Sequence, residues 1–246
     1  MPGPGGTNGA LADVEPGKVV SSIRAEVTCD GVPSDKAVTL TVEANANTGG
    51  HNHHDSARPP GALSPASGSS PVTFSFAAPA PAGDHIVTAK CVDGSCGEDT
   101  GKVWVGVKDL YQLNGSTAYE LIQPNADVFH PGNHYLTTNA SIVLQGIASE
   151  WRTLYKPFGP VLHLNDASLE RGGYFDIQRL WNRGEHAEHR RGTVIDIRAN
   201  NLPGAIPRGD FKDFERAARK YGAVARLHKK NTDLQHYHVR LFGRAE

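Results

Sequence analysis

The strongest constraint on this chain is a set of short alternations between residues 14 and 108. Ile23, Ala25 and Val27 alternate with Arg24, Glu26 and Thr28, and Val38, Leu40 and Val42 alternate with Thr39, Thr41 and Glu43. The pattern returns at Val72, Phe74 and Phe76, at Val87, Ala89 and Cys91, and at Val103, Val105 and Val107. A period of two sends successive side chains to opposite faces of an extended chain. Runs of this kind, split by Gly, Pro, Asp and Ser, mark half-buried antiparallel strands. Five of them predict an all-β immunoglobulin-like sandwich over 14–108, with no helix. Before it, the Gly/Pro-rich residues 1–13 read as a flexible tail, and residues 45–71 read as one long loop.

The texture then changes. Residues 109–133 carry little periodicity and read as a connector. Ile142, Leu144, Ile147, Ala148 and Trp151 recur at helical spacing. Asp210 stands where an N-cap would precede FKDFERAARKYG, with Phe211, Phe214, Ala218 and Tyr221 on one stripe and Gly222 as the stop. Strands are predicted at 193–198, 223–227 and 237–242. Residues 134–246 therefore read as an α+β domain with an antiparallel sheet.

Composition narrows the function. The chain has 246 residues and a formal net charge of -1, without the basic excess expected of a nucleic-acid binder. No apolar stretch approaches the ~20 residues of a membrane span. MPGPGGTNGA lacks the charged start and apolar core of a signal peptide, so a secreted or periplasmic location implies a leader already removed. Cys29, Cys91 and Cys96 allow one bridge and leave one thiol. Cys29–Cys91 across the sheets and Cys91–Cys96 across a turn are equally open, and either suits an exported protein.

Two segments concentrate the chemistry: HAEHRRGTVIDIR at 186–198 and QHYHVRLF at 235–242. In a strand, His236 and His238 share a face, roughly 6.5 Å apart along it. Asp196 lies in an extended run with Ile195 and Ile197 facing the other way, and Gly192 permits a turn after His189. If the two strands are neighbours, His189, Asp196 and His238 converge. Two imidazoles and one carboxylate suit Zn²⁺ and leave a fourth position open, as in catalytic rather than structural zinc. His236 is then the nearby base that takes or relays a proton.

HRRGTVID followed by HYHVRL resembles the zinc peptidase group of lysostaphin, the D-Ala-D-Ala carboxypeptidases and the hedgehog signalling domain. It is most similar to the penicillin-insensitive murein endopeptidases. The resemblance covers residues 130–246. It implies zinc on His189, Asp196 and His238, catalytic assistance from His236, and hydrolysis of peptide or peptidoglycan cross-links. NDASLERGGYFD at 165–176 resembles the segment preceding the site in such proteins. That implies substrate contacts or ligand orientation by Asp166, Ser168 and Arg171. Where the carboxypeptidases carry a Ser two residues before the first zinc His, this chain has Ala187, which weighs against specificity for a terminal D-Ala.

His186, three residues before His189, is a candidate for supporting a metal ligand or for lining the substrate cleft. Arg240 shares the ligand face and is a candidate carboxylate holder. Glu185 and Glu188 are alternative bases, with solvated side chains the simpler expectation. The HNHH run at 51–54, followed by Asp55, is a weaker metal candidate in a loop without a frame. The sandwich carries no catalytic set, and its expected role is to bind a wall polymer or protein partner. The competing readings are a catalytically silent zinc-stabilised module and an adhesion protein in which the sandwich acts.

Overall fold

The computed structural model describes residues 10–52, 57–122, 129–155, 159, 161–176, 181, 187–200 and 202–242. The chain is mostly β-sheet, with two α-helices among the described residues. It divides into two compact units: Met1–Lys108 with Arg171–Glu185, and Asp109–Glu170 with His186–Glu246.

In the first unit, each of the five alternating runs contributes a strand. A five-stranded sheet runs in the order Ala10–Val14, Asp99–Val105, Gly83–Cys91, Ala37–Ala44 and Ser67–Ser69. A three-stranded sheet runs Val19–Ala25, Val72–Ala77 and Ala62–Ser64. Their inward residues make one apolar cluster, including Ile23, Val38, Leu40, Phe74, Phe76, Val87 and Val103.

Two expectations fail here. Ala10–Val14 is not tail but a strand, parallel to Asp99–Val105, with Val14 opposite Val105. A five-residue segment whose partner lies at the far end of the unit leaves no local signal beyond weak alternation. The loop at 45–71 contains the strands Ala62–Ser64 and Ser67–Ser69. His53, His54 and Asp55 fall outside the described residues, while His51 is buried, its Nδ1 3.2 Å from Asp176 Oδ1.

The disulfide joins Cys29 to Cys96, with Cα atoms 4.5 Å apart, and Cys91 is free and buried. This differs from both pairings expected. Cys91 sits on the inward face of Gly83–Cys91, packed in the apolar cluster. Cys96, beyond the turn, packs against the same cluster and meets Cys29.

The second unit begins inside the expected connector. Leu110–Gln112 pairs with Tyr135–Thr137, and Tyr119–Leu121 is an edge strand of the main sheet. That sheet runs Tyr119–Leu121, Leu162–Leu164, Val194–Arg198, His236–Arg240 and Val224–His228. The first pair is parallel and the others antiparallel. Helix α1, Thr138–Glu150, starts at Thr137, whose hydroxyl accepts from the Ala140 amide. Helix α2, Phe211–Lys220, has Asp210 at its N-cap position but no side-chain cap hydrogen bond, because a short 3₁₀ turn at Arg208–Asp210 leads into it. Gly222 takes φ 76° just beyond the helix. Leu144, Ile147 and Trp151 with Phe214 and Ala218 cover one sheet face, where they meet Ile195, Ile197, Tyr237 and Val239. The alternate residues of those strands are left for the other face.

Candidate metal centre

The central strands place the site through their register. Asp196 stands opposite His238 and Arg198 opposite His236. With Ile195, Ile197, Tyr237 and Val239 fully buried under the helices, alternation brings Asp196, His236 and His238 together on the open face. His189 arrives on the 3₁₀ turn Ala187–Arg191. Gly192, at φ 64°, reverses the chain from that turn into the strand, its amide donating to the His189 carbonyl at 3.1 Å.

Three atoms converge: His189 Nε2, Asp196 Oδ1 and His238 Nδ1. His189 Nε2 lies 3.5 Å and His238 Nδ1 2.9 Å from Asp196 Oδ1, and the residues' ligand atoms all fall within 4.8 Å of one another. Ligand bonds of about 2.0–2.2 Å in a tetrahedron place donor atoms roughly 3.3 Å apart, and the two separations straddle that spacing. All three side chains are buried. The group can hold a metal ion.

The outer nitrogens decide which lone pairs are free. His189 Nδ1–H donates to the Ala167 carbonyl at 2.9 Å, which leaves Nε2 as the ligand atom. His238 Nε2 lies 2.7 Å from Glu188 Oε2, so Nε2–H donates there and Nδ1 faces Asp196. Glu188 is itself gripped by Arg240, whose Nε donates to Oε2 at 2.7 Å and whose Nη2 bonds Oε1. Hydrogen bonds of this kind fix the tautomer and ring orientation of metal-binding histidines.

The electrostatics follow. Burial raises the Asp196 carboxyl, but hydrogen bonds from His189 and His238, and the nearby charge of His189 and His236, hold it far below the usual range. Burial alone would lower His238; Asp196 and Glu188 outweigh it and raise the imidazole. The Arg240 hydrogen bond leads in lowering Glu188 to about 2, with burial opposing and His238 assisting. Both carboxylates thus favour the protonated imidazole, and a bound metal cation would take the place of its Nδ1 proton.

His236 lies beside this group, its Nε2 3.4 Å from Asp196 Oδ2. Its Nδ1–H donates to the Leu234 carbonyl at 2.8 Å, leaving Nε2 as the basic atom. His228 joins the cluster without having been expected. It stands opposite His236 in register, and its ring stacks on His238 at 4.8 Å, 8° from parallel. No spacing motif links His228 to the HxH pair; only pairing of Val224–His228 with His236–Arg240 brings it in.

The remaining candidates scatter. Asp166 lies beside the strand, in the plane of the sheet: its carbonyl accepts from the Asp196 amide at 2.8 Å, and its Oδ1 accepts from Asn133 Nδ2 at 2.5 Å. Ser168 is buried, its hydroxyl has no hydrogen-bond partner among the described residues, and its main chain bridges Tyr135. Arg171 belongs to the first unit, where Nη1 pairs with Asp84 Oδ1 at 2.6 Å and the guanidinium lies over Trp104. Arg240 holds Glu188. Glu188, expected to be solvated, is engaged at both oxygens. His186 and Glu185 fall outside the described residues. Cys29, Cys91 and Cys96 form another close group of possible ligands, two of them joined as the disulfide.

No protein-family model matches the chain, and no curated protein matches it either.

Proposed function

We propose that the second unit is a zinc-dependent peptidase that hydrolyses peptide amide bonds, with peptidoglycan cross-links as the substrate class. The observation that carries the reading is the convergence of His189 Nε2, Asp196 Oδ1 and His238 Nδ1, with each imidazole's other nitrogen engaged by an outer acceptor. Two nitrogens and one carboxylate oxygen suit zinc and leave one coordination position for chemistry. Zinc, when bound, supplies a Lewis acid for the scissile carbonyl and acidifies a water.

The chain's own residues do the rest. His189, Asp196 and His238 hold the metal. Glu188 and Arg240 keep His238 in the ligating tautomer. His236 Nε2 takes the proton of the attacking water and returns it to the leaving amine, with Asp196 Oδ2 stabilising the imidazolium from 3.4 Å. The first unit, read as an immunoglobulin-like sandwich, binds a wall polymer or a protein partner. A disulfide is in keeping with a secreted or periplasmic protein.

Metal content by plasma mass spectrometry tests the centre: about one zinc per chain in wild type and none in His238→Ala. Hydrolysis of murein peptides by wild type beside His236→Ala tests the activity. His236→Ala should keep zinc and lose turnover. Zinc in both proteins with turnover in neither would leave a zinc-stabilised, catalytically silent module.

A further inference from the structure

The three cysteines of the first unit meet at one point. Cys91 ends the strand Gly83–Cys91, opposite Val38, with its side chain in the apolar cluster. Residues 92–95, all exposed, turn the chain back, the Gly94 amide donating to the Cys91 carbonyl at 3.1 Å. Cys96 arrives beside Cys91, and its bond to Cys29 brings in the third sulfur. The three Sγ atoms lie within 4.8 Å of one another. A free thiol this close to a disulfide is placed to attack it as the thiolate. The two sulfurs of that disulfide are not equivalent. Ser34 Oγ lies 3.9 Å from Cys96 Sγ and accepts from the Lys36 amide at 3.3 Å. Cys96 has no S–H while it is in the disulfide, so the Ser34 hydroxyl is the group that can donate. Ser95 Oγ lies 3.8 Å from the same sulfur; it accepts from Lys36 Nζ and donates to Asp93 Oδ1 at 2.5 Å. Among the described residues, no hydroxyl or ammonium group stands in this relation to Cys29 Sγ. A leaving thiolate with a hydrogen-bond donor and a lysine nearby departs faster, which favours attack at Cys29 and release of Cys96.

We propose that Cys29, Cys91 and Cys96 form a thiol–disulfide exchange centre, in which Cys91 displaces Cys96 from Cys29 and leaves Cys96 as a nucleophilic thiol for disulfide-bearing ligands. Cys91 gives its proton to solvent as the exposed turn at 92–95 opens, and its sulfur bonds to Cys29 Sγ. The Cys29–Cys96 bond breaks, and its electron pair leaves with Cys96. One disulfide is lost and one is formed, so no oxidant or reductant is consumed. Cys91 is 2% exposed, whereas Cys96 is only half-buried, so exchange moves the free thiol from the core to the surface. There the Cys96 thiolate attacks one sulfur of the ligand's disulfide and expels the other half as a thiolate. This centre does not depend on the peptidase reading.

The test locates the free thiol by covalent capture. The oxidised full chain is held in native buffer at mildly alkaline pH with iodoacetamide, quenched in acid and mapped without reduction by peptide mass spectrometry, fragment ions deciding between Cys91 and Cys96. Label should accumulate on Cys96, with Cys29 bonded to Cys91. Label confined to Cys91, label on Cys29, or no label would overturn the proposal. Cys91→Ala should take no label; label on its Cys96 would show that the disulfide opens without Cys91 and would overturn it as well. Ser34→Ala should slow capture about threefold, and Ser34→Thr, which keeps the hydroxyl, should restore the rate. An unchanged rate in Ser34→Ala, or no recovery in Ser34→Thr, would overturn the role given to Ser34 in releasing Cys96. Oxidised glutathione in place of iodoacetamide should add at Cys96, and no adduct there would overturn the ligand class.

Discussion

At the scale of single residues, the centre depends on a group that motif spacing presents as a bystander. Glu188 holds His238 through Nε2 and is held by Arg240. Removing it frees the ring to rotate and exchange tautomers. Glu188→Ala should weaken zinc binding about 10–100-fold, measured by competition with a chromophoric chelator; Glu188→Gln, which still offers His238 an oxygen, should lose less. An unchanged affinity in Glu188→Ala would mean that the strand alone orients the ligand. A second prediction concerns His85 in the first unit, fully buried, with Nδ1 3.2 Å from the Gly83 carbonyl. Burial, aided by the Arg58 charge, pushes its imidazole down to about 4. The folded value lies below the unfolded one, so below about pH 6.5 the unfolded chain binds a proton that the folded chain refuses. Stability at this residue is whole above pH 6.5 and falls toward pH 4 by up to ~3 kcal/mol. Urea melts of wild type and His85→Gln at pH 7.5, 5.5 and 4.5 check this, and the variant should show the shallower decline.

At the scale of elements, what was legible in the sequence was what is local. Alternation is written within each strand, so the five runs of the first unit could be read, and so could α1 and α2. Three-residue strands such as Leu110–Gln112 and Tyr119–Leu121 are too short to show a period, and their pairing decides them. The site divides the same way. His189, Asp196, His236 and His238 stand out because Gly192 and two short extended runs fix their directions. His228 and the Arg226–His238 opposition depend on a strand register that no local pattern encodes. Gly192 itself is testable. It holds φ 64°, and a Cβ there would collide with Leu110 and lie 3.2 Å from the Thr137 amide. The main chain cannot retreat, because Thr137 donates to the Gly192 carbonyl at 2.9 Å. Gly192→Ala should cost about 1–3 kcal/mol and weaken zinc binding, because the same turn carries His189. Phe214→Ala, buried in the core under the opposite sheet face, should cost more, about 3–5 kcal/mol, yet leave the zinc affinity of the folded fraction near wild type. Thermal melts beside chelator competition separate the two effects.

At the scale of the whole molecule, the first unit is not contiguous in sequence. Residues 171–185 interrupt the second unit in sequence and belong to the first. The Val107 amide donates to the Arg171 carbonyl at 2.9 Å and the Tyr174 amide to the Ala80 carbonyl at 3.1 Å. Phe175 and Trp181 are buried, and Asp176 pairs with His51. A boundary drawn after residue 108 therefore cuts through contacts the first unit needs. A chain truncated to residues 109–246 would carry this segment without its partners, exposing Phe175 and Trp181 together and leaving Arg171 without Asp84. Exposed apolar surface of that kind promotes association. The truncated chain should aggregate or be nicked within 171–185 under limited proteolysis. The same truncation with 171–185 replaced by a Gly/Ser linker of equal length should stay monomeric and still bind one zinc, since loop closure over an unstructured span of this length changes stability little. Size-exclusion chromatography and metal analysis of both chains decide it. A monomeric, protease-resistant 109–246 chain would show that the segment folds with the second unit when the first is absent. Failure of the linker version to bind zinc would overturn the assignment of residues 171–185 to the first unit alone.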